Sequence, residues 1–392
     1  MNIRLLILFV CILSARCTPA ESEELAKAKR FTPSIKAADV RPHVVYLCSE
    51  KLRGRRGVDA MRASAYLRDH FKQCNLEPLF KNSYYQNIPG PRQKDGTATK
   101  YGHNVGALLR GSDPKLRDEL IIVSAHYDHL GIRNSKMYPG ADDNASGTSM
   151  LLEVALRFSR MKQRPKRSIA FVGFALEEHL LWGSRWFAAH SPWPMKQIKF
   201  FMTADMIGRS LGDLPLKSVF VMGSEYATET DKVLASVGQP KDLDVSLLGI
   251  DLIGTRSDYG PFRDKQIPFL FFSTGEHSDY HKPTDTPDKV NYEQVAAVSS
   301  LILRITLEMA TRETTPKWND KFDPPLAEVE TIHKIAVLLL DRDKTVPLGT
   351  FQKVIVSNAE LQTRKILERG TVTASERSSL IRTAQVLLFS VF

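Results

Sequence analysis

Leu120-Ile-Ile-Val-Ser-Ala-His126-Tyr-Asp128-His129 decides the fold: a strand-like run, apolar but for Ser124, ends in imidazole and carboxylate side chains. The run lacks the apolar–polar alternation of a strand wetted on one face, so it reads as a strand buried on both. A helical stretch over Ala145–Arg160 follows. The succession then repeats, with strand-like Ser168–Ala175, a helix over Leu180–His190, and strands at Ile198–Ala204, Lys217–Met222 and Ile267–Ser273. Strands alternating with helices predict an α/β fold with a mixed, mostly parallel central sheet and helices on both faces. Such sheets bind ligands beyond the carboxyl ends of their strands. His126 follows Ala125, Glu177 follows strand-like Ala175 by two residues, and Asp205 follows Ala204, so the polar clusters fall where a site is expected.

Working outward, the chain supplies Asp142 and Asp143 in Gly-Ala-Asp-Asp-Asn-Ala-Ser-Gly, then Glu177-Glu178, Asp205, and His281 beside Tyr280. Each is ordinary alone: paired acids commonly open helices or turns, and a lone histidine after a strand is commonly a satisfied polar residue. Together they match what hard divalent cations take, oxygen and imidazole gathered from several strand ends. A two-metal hydrolase needs a bridging carboxylate, an imidazole and a carboxylate for each ion, and a free carboxylate as base. Three carboxylates and two neutral imidazoles against two divalent cations leave about one positive charge, which favours a deprotonated water near neutral pH.

From about Leu47 to Thr311 these separated motifs resemble the co-catalytic dizinc aminopeptidases, the bacterial leucyl aminopeptidase-like zinc exopeptidases related to glutamate carboxypeptidase and the transferrin receptor. The resemblance implies two zinc ions. His126 and Asp205 would bind one, Glu178 and His281 the other, and Asp143 would bridge them. It further implies Glu177 as general base, Asp128 as the carboxylate that orients His126, a cis peptide after Asp128, and Tyr280 as a hydrogen-bond donor to the developing oxyanion. Asp142, His129, His179, His277 and Tyr127 keep a structural reading. Ser257-Asp-Tyr-Gly-Pro-Phe262 with Ile267-Pro268, and Tyr280-His-Lys-Pro-Thr-Asp-Thr286, extend the similarity. The chain departs from the pattern after Glu178, where His179 and Trp182 replace smaller residues and leave pocket size open. The implied function is an exported zinc exopeptidase, foremost an aminopeptidase acting on peptides with a free N-terminus. The alternatives are a glutaminyl cyclase-like transferase with one zinc, a carboxypeptidase or dipeptidase that clamps a carboxylate through Arg209 or Arg256, and an inactive receptor-like domain.

A hydrophobic share of 43% and a charged share of 25% describe a globular chain, neither disordered nor membrane-spanning overall. The net charge of +10 is spread out, and no aromatic-interleaved basic module accompanies it, which speaks against nucleic acid as a partner. Met1–Arg4 and the apolar run Leu5–Ala15 form a secretory leader, with cleavage expected after Ala20 and periplasmic or extracellular export as its consequence. Lipid attachment at Cys17 is disfavoured by Arg16. Residues 21–34 read as a polar leader, 35–315 as the zinc exopeptidase domain, and 316–392 as a C-terminal helical appendage without a catalytic cluster, closed by a Thr373/Glu376 capping box. Arg304 and Glu308 interrupt the apolar stretch Tyr292–Arg312, which favours a core helix over a membrane span. Cys48 and Cys74 remain either a disulfide or two buried thiols.

Overall fold

The structure, a computed structural model, describes residues 34–92, 98–321 and 325–390. The expected leader and nearly all of the polar stretch after it lie outside these residues, as do Cys11 and Cys17. Among the described residues nine strands build one sheet: β1 (Glu77–Pro78), β2 (Tyr85–Arg92), β3 (Ala98–Leu109), β4 (Leu120–His126), β7 (Ser168–Phe174), β8 (Ile198–Ala204), β9 (Ser218–Met222), β10 (Asp244–Leu248) and β11 (Phe269–Ser273). A two-stranded ribbon, β5 (Gly131–Arg133) and β6 (Lys136–Tyr138), stands apart. The order is β1-β3-β7-β4-β8-β11-β9-β10, with β2 on β3. The four central strands β7, β4, β8 and β11 run parallel, β3 and β9 flank them antiparallel, and β10 runs parallel to β9. Every residue of β4 and β7 is buried, as a strand covered on both faces requires.

Because side chains alternate across a strand, β4 feeds two cores. Ile121, Val123 and Ala125 join the side formed by α1 (Ala37–Leu47), α2 (Val58–Gln73), α3 (Gly147–Ser159) and α7 (Tyr292–Thr311). Leu120 and Ile122 face the other side, where Phe174, Phe187, Phe201 and Phe262 pack together. Two of these phenylalanines lie on α4 (Trp182–Ala189) and α6 (Gly260–Arg263). Between them in sequence runs α5 (Thr230–Val237), which, like β10, escapes the sequence reading. The helix α7 is long and apolar enough to cross a membrane, yet twelve of its residues, Val295 and Ile302 among them, are buried against the fold, as a core helix's would be.

Residues beyond 325 form α8 (Leu326–Arg342), α9 (Thr350–Arg369) and α10 (Ala374–Ser390). The capping box is present: Thr373 N donates to Glu376 Oε2, and Glu376 N donates to Thr373 Oγ1 at 3.2 Å. These helices share the second core, with Val329, Ala336, Leu339 and Leu380 buried in it alongside Phe201 and Phe269. Arg377 of α10 donates to both oxygens of Asp251 at 2.7 and 2.8 Å and to Glu328 of α8, tying the last helix to its neighbours. The break in sequence character near residue 315 is therefore not a break in packing; the described residues from Ile35 onward form one compact unit.

Cys48 and Cys74 are buried free thiols, and burial pushes the Cys48 thiol up to about 12, where it is inert. Arg55 is fully buried and donates to the main-chain carbonyls of Leu47, Tyr127, Pro139 and Gly140 at 2.6–2.8 Å. It reaches them because Gly54 before it is left-handed, φ 72°, where a Cβ would sit 2.5 Å from Tyr138 O. The guanidinium thus pins both ends of the 127–140 loop that carries the polar motif. Arg55→Met strands those carbonyls away from water, so a loss of more than about 3 kcal/mol is expected, read as a lowered midpoint in thermal denaturation.

Candidate metal centre

His126 is the last residue of β4, Asp205 follows the last residue of β8, and Glu177-Glu178 lie just past the end of β7. Asp143 sits in the 141–146 segment that opens α3, and His281 in the loop after β11. Parallel strands place all these ends on one edge, so residues up to 155 positions apart in sequence converge. The 176–181 loop holds Leu176, Leu180 and Leu181 in left-handed backbone, φ 58–60°, rarely adopted by such side chains and found where a site imposes the path. His281 is left-handed too, φ 54°.

Two donor groups result, joined at Asp143. His126, Asp143 and Asp205 offer atoms all within 4.8 Å of one another, and so do His129, Asp143 and Glu178. His126 Nε2 lies 3.1 Å from Asp205 Oδ1 and 3.4 Å from Asp143 Oδ1. Asp143 Oδ2 lies 3.1 Å from His281 Nε2, which is 3.2 Å from Glu178 Oε2. All five residues expected to hold metal are thus brought together. His129 joins them unexpectedly: it is fully buried, and its Nδ1 lies 2.8 Å from Glu178 Oε1 and 3.7 Å from Asp143 Oδ2. Both nitrogens of His129 and Glu178 Oε1 lack hydrogen-bond partners among the described residues, the arrangement of donors that converge on a cation. Three imidazole or carboxylate residues within His126-Tyr-Asp-His129 was the available signal, and a strand end is too irregular for spacing to show which of them turn inward.

Around this cluster a layer of polar groups fixes the ligand-bearing backbone. The Asp128 carboxylate accepts from Glu177 N at 3.1 Å and Glu178 N at 3.4 Å. It stands 3.8 Å from His126 Nδ1, whereas its own backbone carbonyl is 3.3 Å from that nitrogen, so Asp128 orients the paired glutamates more directly than the imidazole. Asp285 accepts from the main-chain nitrogens of Asp142 and Asp143 at 3.0–3.2 Å. Asp142, read as structural, points away and accepts from Gly208 N at 2.6 Å. Ser257 donates to Asp205 Oδ2 at 2.8 Å, which leaves Oδ1 turned toward His126. The expected cis peptide after Asp128 is corrected: the cis bond is Asp143–Asn144, where Asn144 donates to Ala204 O and accepts from Gly147 N, both at 2.9 Å, and so joins the Asp143 turn to the end of β8.

The family model of peptidase family M28 matches residues 104–306, just over half of the chain. The chain belongs to peptidase family M28. The aminopeptidase YwaD of Bacillus subtilis is 28% identical over 213 residues, which cover 51% of this chain and 43% of that one, so the M28 chain spans less than half the length of that curated relative. The LapA aminopeptidase of Legionella pneumophila shares the fold at a TM-score of 0.56 and 21% identity over 74% of this chain and 75% of its own. The glutaminyl cyclase of Porphyromonas gingivalis shares it at a TM-score of 0.54 and 16% identity over 70% and 99%.

Electrostatics in the M28 centre call for a cation. Asp128, Asp143, Glu177, Glu178, Asp205 and Asp258 crowd one largely water-excluded region. Burial opposes a charge on His281, yet Asp143 and Glu178 raise it to about 10; His126 is likewise held well above its usual range against burial by Asp205, Glu177 and Asp143. The upward push on both imidazoles comes from an excess of buried negative charge, and divalent ions satisfy the same excess. Burial pushes the Glu177 carboxyl far up, with Asp205, Asp258 and Glu178 adding to the push and His126 opposing it.

The centre opens into a cavity of about 320 Å³ in which Asp143, Glu177, Asp205, Tyr280 and His281 form the polar end. Tyr280 stacks on His281, ring centroids 3.9 Å apart. Neither His179 nor Trp182 lines this cavity, so the departure from the family pattern after Glu178 does not set its size. Arg256 does line it, held by Glu276 at 2.8 Å, whereas Arg209 is engaged outside it by Asp213 at 2.7 Å and Asp279 at 3.1 Å.

Proposed function

We propose that the chain is an exported zinc aminopeptidase holding two zinc ions. The observation that carries the reading is the pair of donor groups sharing Asp143, with the separate carboxylate of Glu177 on the same cavity wall. His126 and Asp205 would hold one ion, Glu178 and His281 the other with His129 in reach, and Asp143 would serve both. When bound, two such ions polarise a peptide carbonyl and lower the pKa of water to near neutrality. Glu177, on the cavity wall beside the proposed ions, takes the proton of the attacking water and returns it to the leaving amine. Asp128 keeps Glu177 in place through the main chain, and the Tyr280 hydroxyl donates to the oxyanion.

Aminopeptidase rather than carboxypeptidase chemistry follows from charge. Arg209 and Arg256, the arginines suited to clamp a substrate carboxylate, are already paired with acids, which speaks against a carboxylate-binding end. A substrate panel tests the reading. Chromogenic aminoacyl amides should be cleaved, with turnover lost on N-acylation, abolished by a chelator and restored by zinc at two ions per chain. Preference for acylated dipeptides, or one zinc per chain with cyclisation of N-terminal glutamine, would overturn it, and so would a folded, metal-loaded chain that turns over nothing. Export rests on the leader Met1–Ala20; recovery of the secreted chain beginning at Glu21 tests it, and retention of an uncleaved N-terminus inside the cell would refute it.

A further inference from the structure

The cavity continues past its acidic end into a space that no catalytic residue lines. One wall is the face of the sheet near its β10 edge, where Phe220 and Met222 of β9 and Phe271 of β11 project to the same side. The opposite wall is made by the C-terminal helices. Ile332, Ile335, Ala336 and Leu339 of α8 recur at the 3–4–7 spacing of one helical face, and Ala384, Leu387 and Leu388 of α10 repeat it at 3–4. Protein interiors pack to the density of organic crystals, so an open apolar space between a sheet and the helices that cover it is a built site rather than a packing fault. The whole cavity, acidic end included, measures about 320 Å³, at the lower end of the ~300–1,000 Å³ range of pockets that enclose small organic groups.

We propose that α8 and α10, although they lie outside the stretch matched to the family, form the specificity wall of the active site and select substrates whose N-terminal residue carries a bulky apolar side chain. This rests on the aminopeptidase reading. The acidic end holds the substrate ammonium and the scissile bond, so the side chain of the residue being released has one direction left, along the apolar cavity toward α10. Ala384 is the discriminating position: small, partly exposed, and lining the cavity one turn before Leu387 and Leu388. A bulky apolar side chain that fills the space buries apolar surface against these helices, and a methyl group leaves most of it uncovered.

The experiment compares kcat/KM for alanyl, leucyl, phenylalanyl and tryptophyl amides in the full-length zinc-loaded enzyme, in Ala384→Trp and in Leu388→Ala, with unfolding midpoints measured in parallel. The wild type should favour the phenylalanyl over the alanyl amide by at least 10-fold. Ala384→Trp should cut that ratio by 10-fold or more, and Leu388→Ala should shift preference toward the tryptophyl amide. Should Ala384→Trp fail to fold, Leu388→Ala alone decides. Ratios unchanged in a folded variant overturn the proposal. Binding of N-phenyl-1-naphthylamine, a neutral apolar fluorophore, separates the two readings. If the wild type cleaves no aminoacyl amide yet binds the probe at least 10-fold tighter than Ala384→Trp, the apolar wall stands and the peptidase reading falls; equal binding sinks the wall.

Discussion

Glu177→Gln is expected to lower kcat by roughly 10²–10⁴, the usual worth of a positioned acid–base group, and to leave the metal content at its wild-type level. The two glutamates are adjacent in sequence but differently engaged. Glu178 lies between His129 and His281, and against the cost of burial these two imidazoles hold its carboxyl well below the usual range. Among the described residues Glu177 has no such hydrogen-bonded imidazole, and burial, with Asp205, Asp258 and Glu178, pushes it up against the pull of His126. One carboxylate is therefore held ionised between two imidazoles, and its neighbour is left outside that pairing on the cavity wall. The amide of glutamine preserves size and abolishes proton exchange. Single-turnover kinetics beside zinc analysis check this, and a variant that loses zinc together with activity would move Glu177 from base to ligand.

Asp143→Asn should have the larger effect on composition. Its two oxygens face different halves of the centre, Oδ1 toward His126 and Oδ2 toward His281. Removing the charge weakens both halves at once, by more than the ~10–100-fold that follows loss of a residue merely hydrogen-bonded to a ligand. Zinc content should fall below one ion per chain after dialysis and activity to background, whereas Asp205→Asn should retain more zinc because it touches one half only. Equal retention by the two variants would refute the shared role of Asp143.

The central sheet was legible because β4 and β7 are buried along their whole length and β8 at every residue but Lys199, so that they are written as runs apolar almost throughout. β10, an edge strand with Asp244 and Ser246 in five residues, carries no such run and escaped notice, as did α5 before it. The converging acids and histidines were legible because strand ends must gather them. His129 was not, since inward and outward positions are undefined once a strand has ended. The apolar stripe of α8 could be read from its spacing, but the surface it covers is set by packing against β10, far away in sequence and beyond the reach of local periodicity. Arg377, too, reads as one more surface cation until Asp251 and Glu328 are placed beside it.

Asp285 lies four residues after His281, and its carboxylate grips the backbone of Asp143. Two segments that would contribute to the same ion are thus latched together by a residue that does not touch it. Thermodynamic linkage makes such a latch work in both directions. Whatever loosens the 281–285 turn must weaken the hold on the ion by an equal free energy, and an ion that occupies the centre must tighten the turn. The affinity of such a centre for its ion would then be set in part by how firmly a surface loop is fastened.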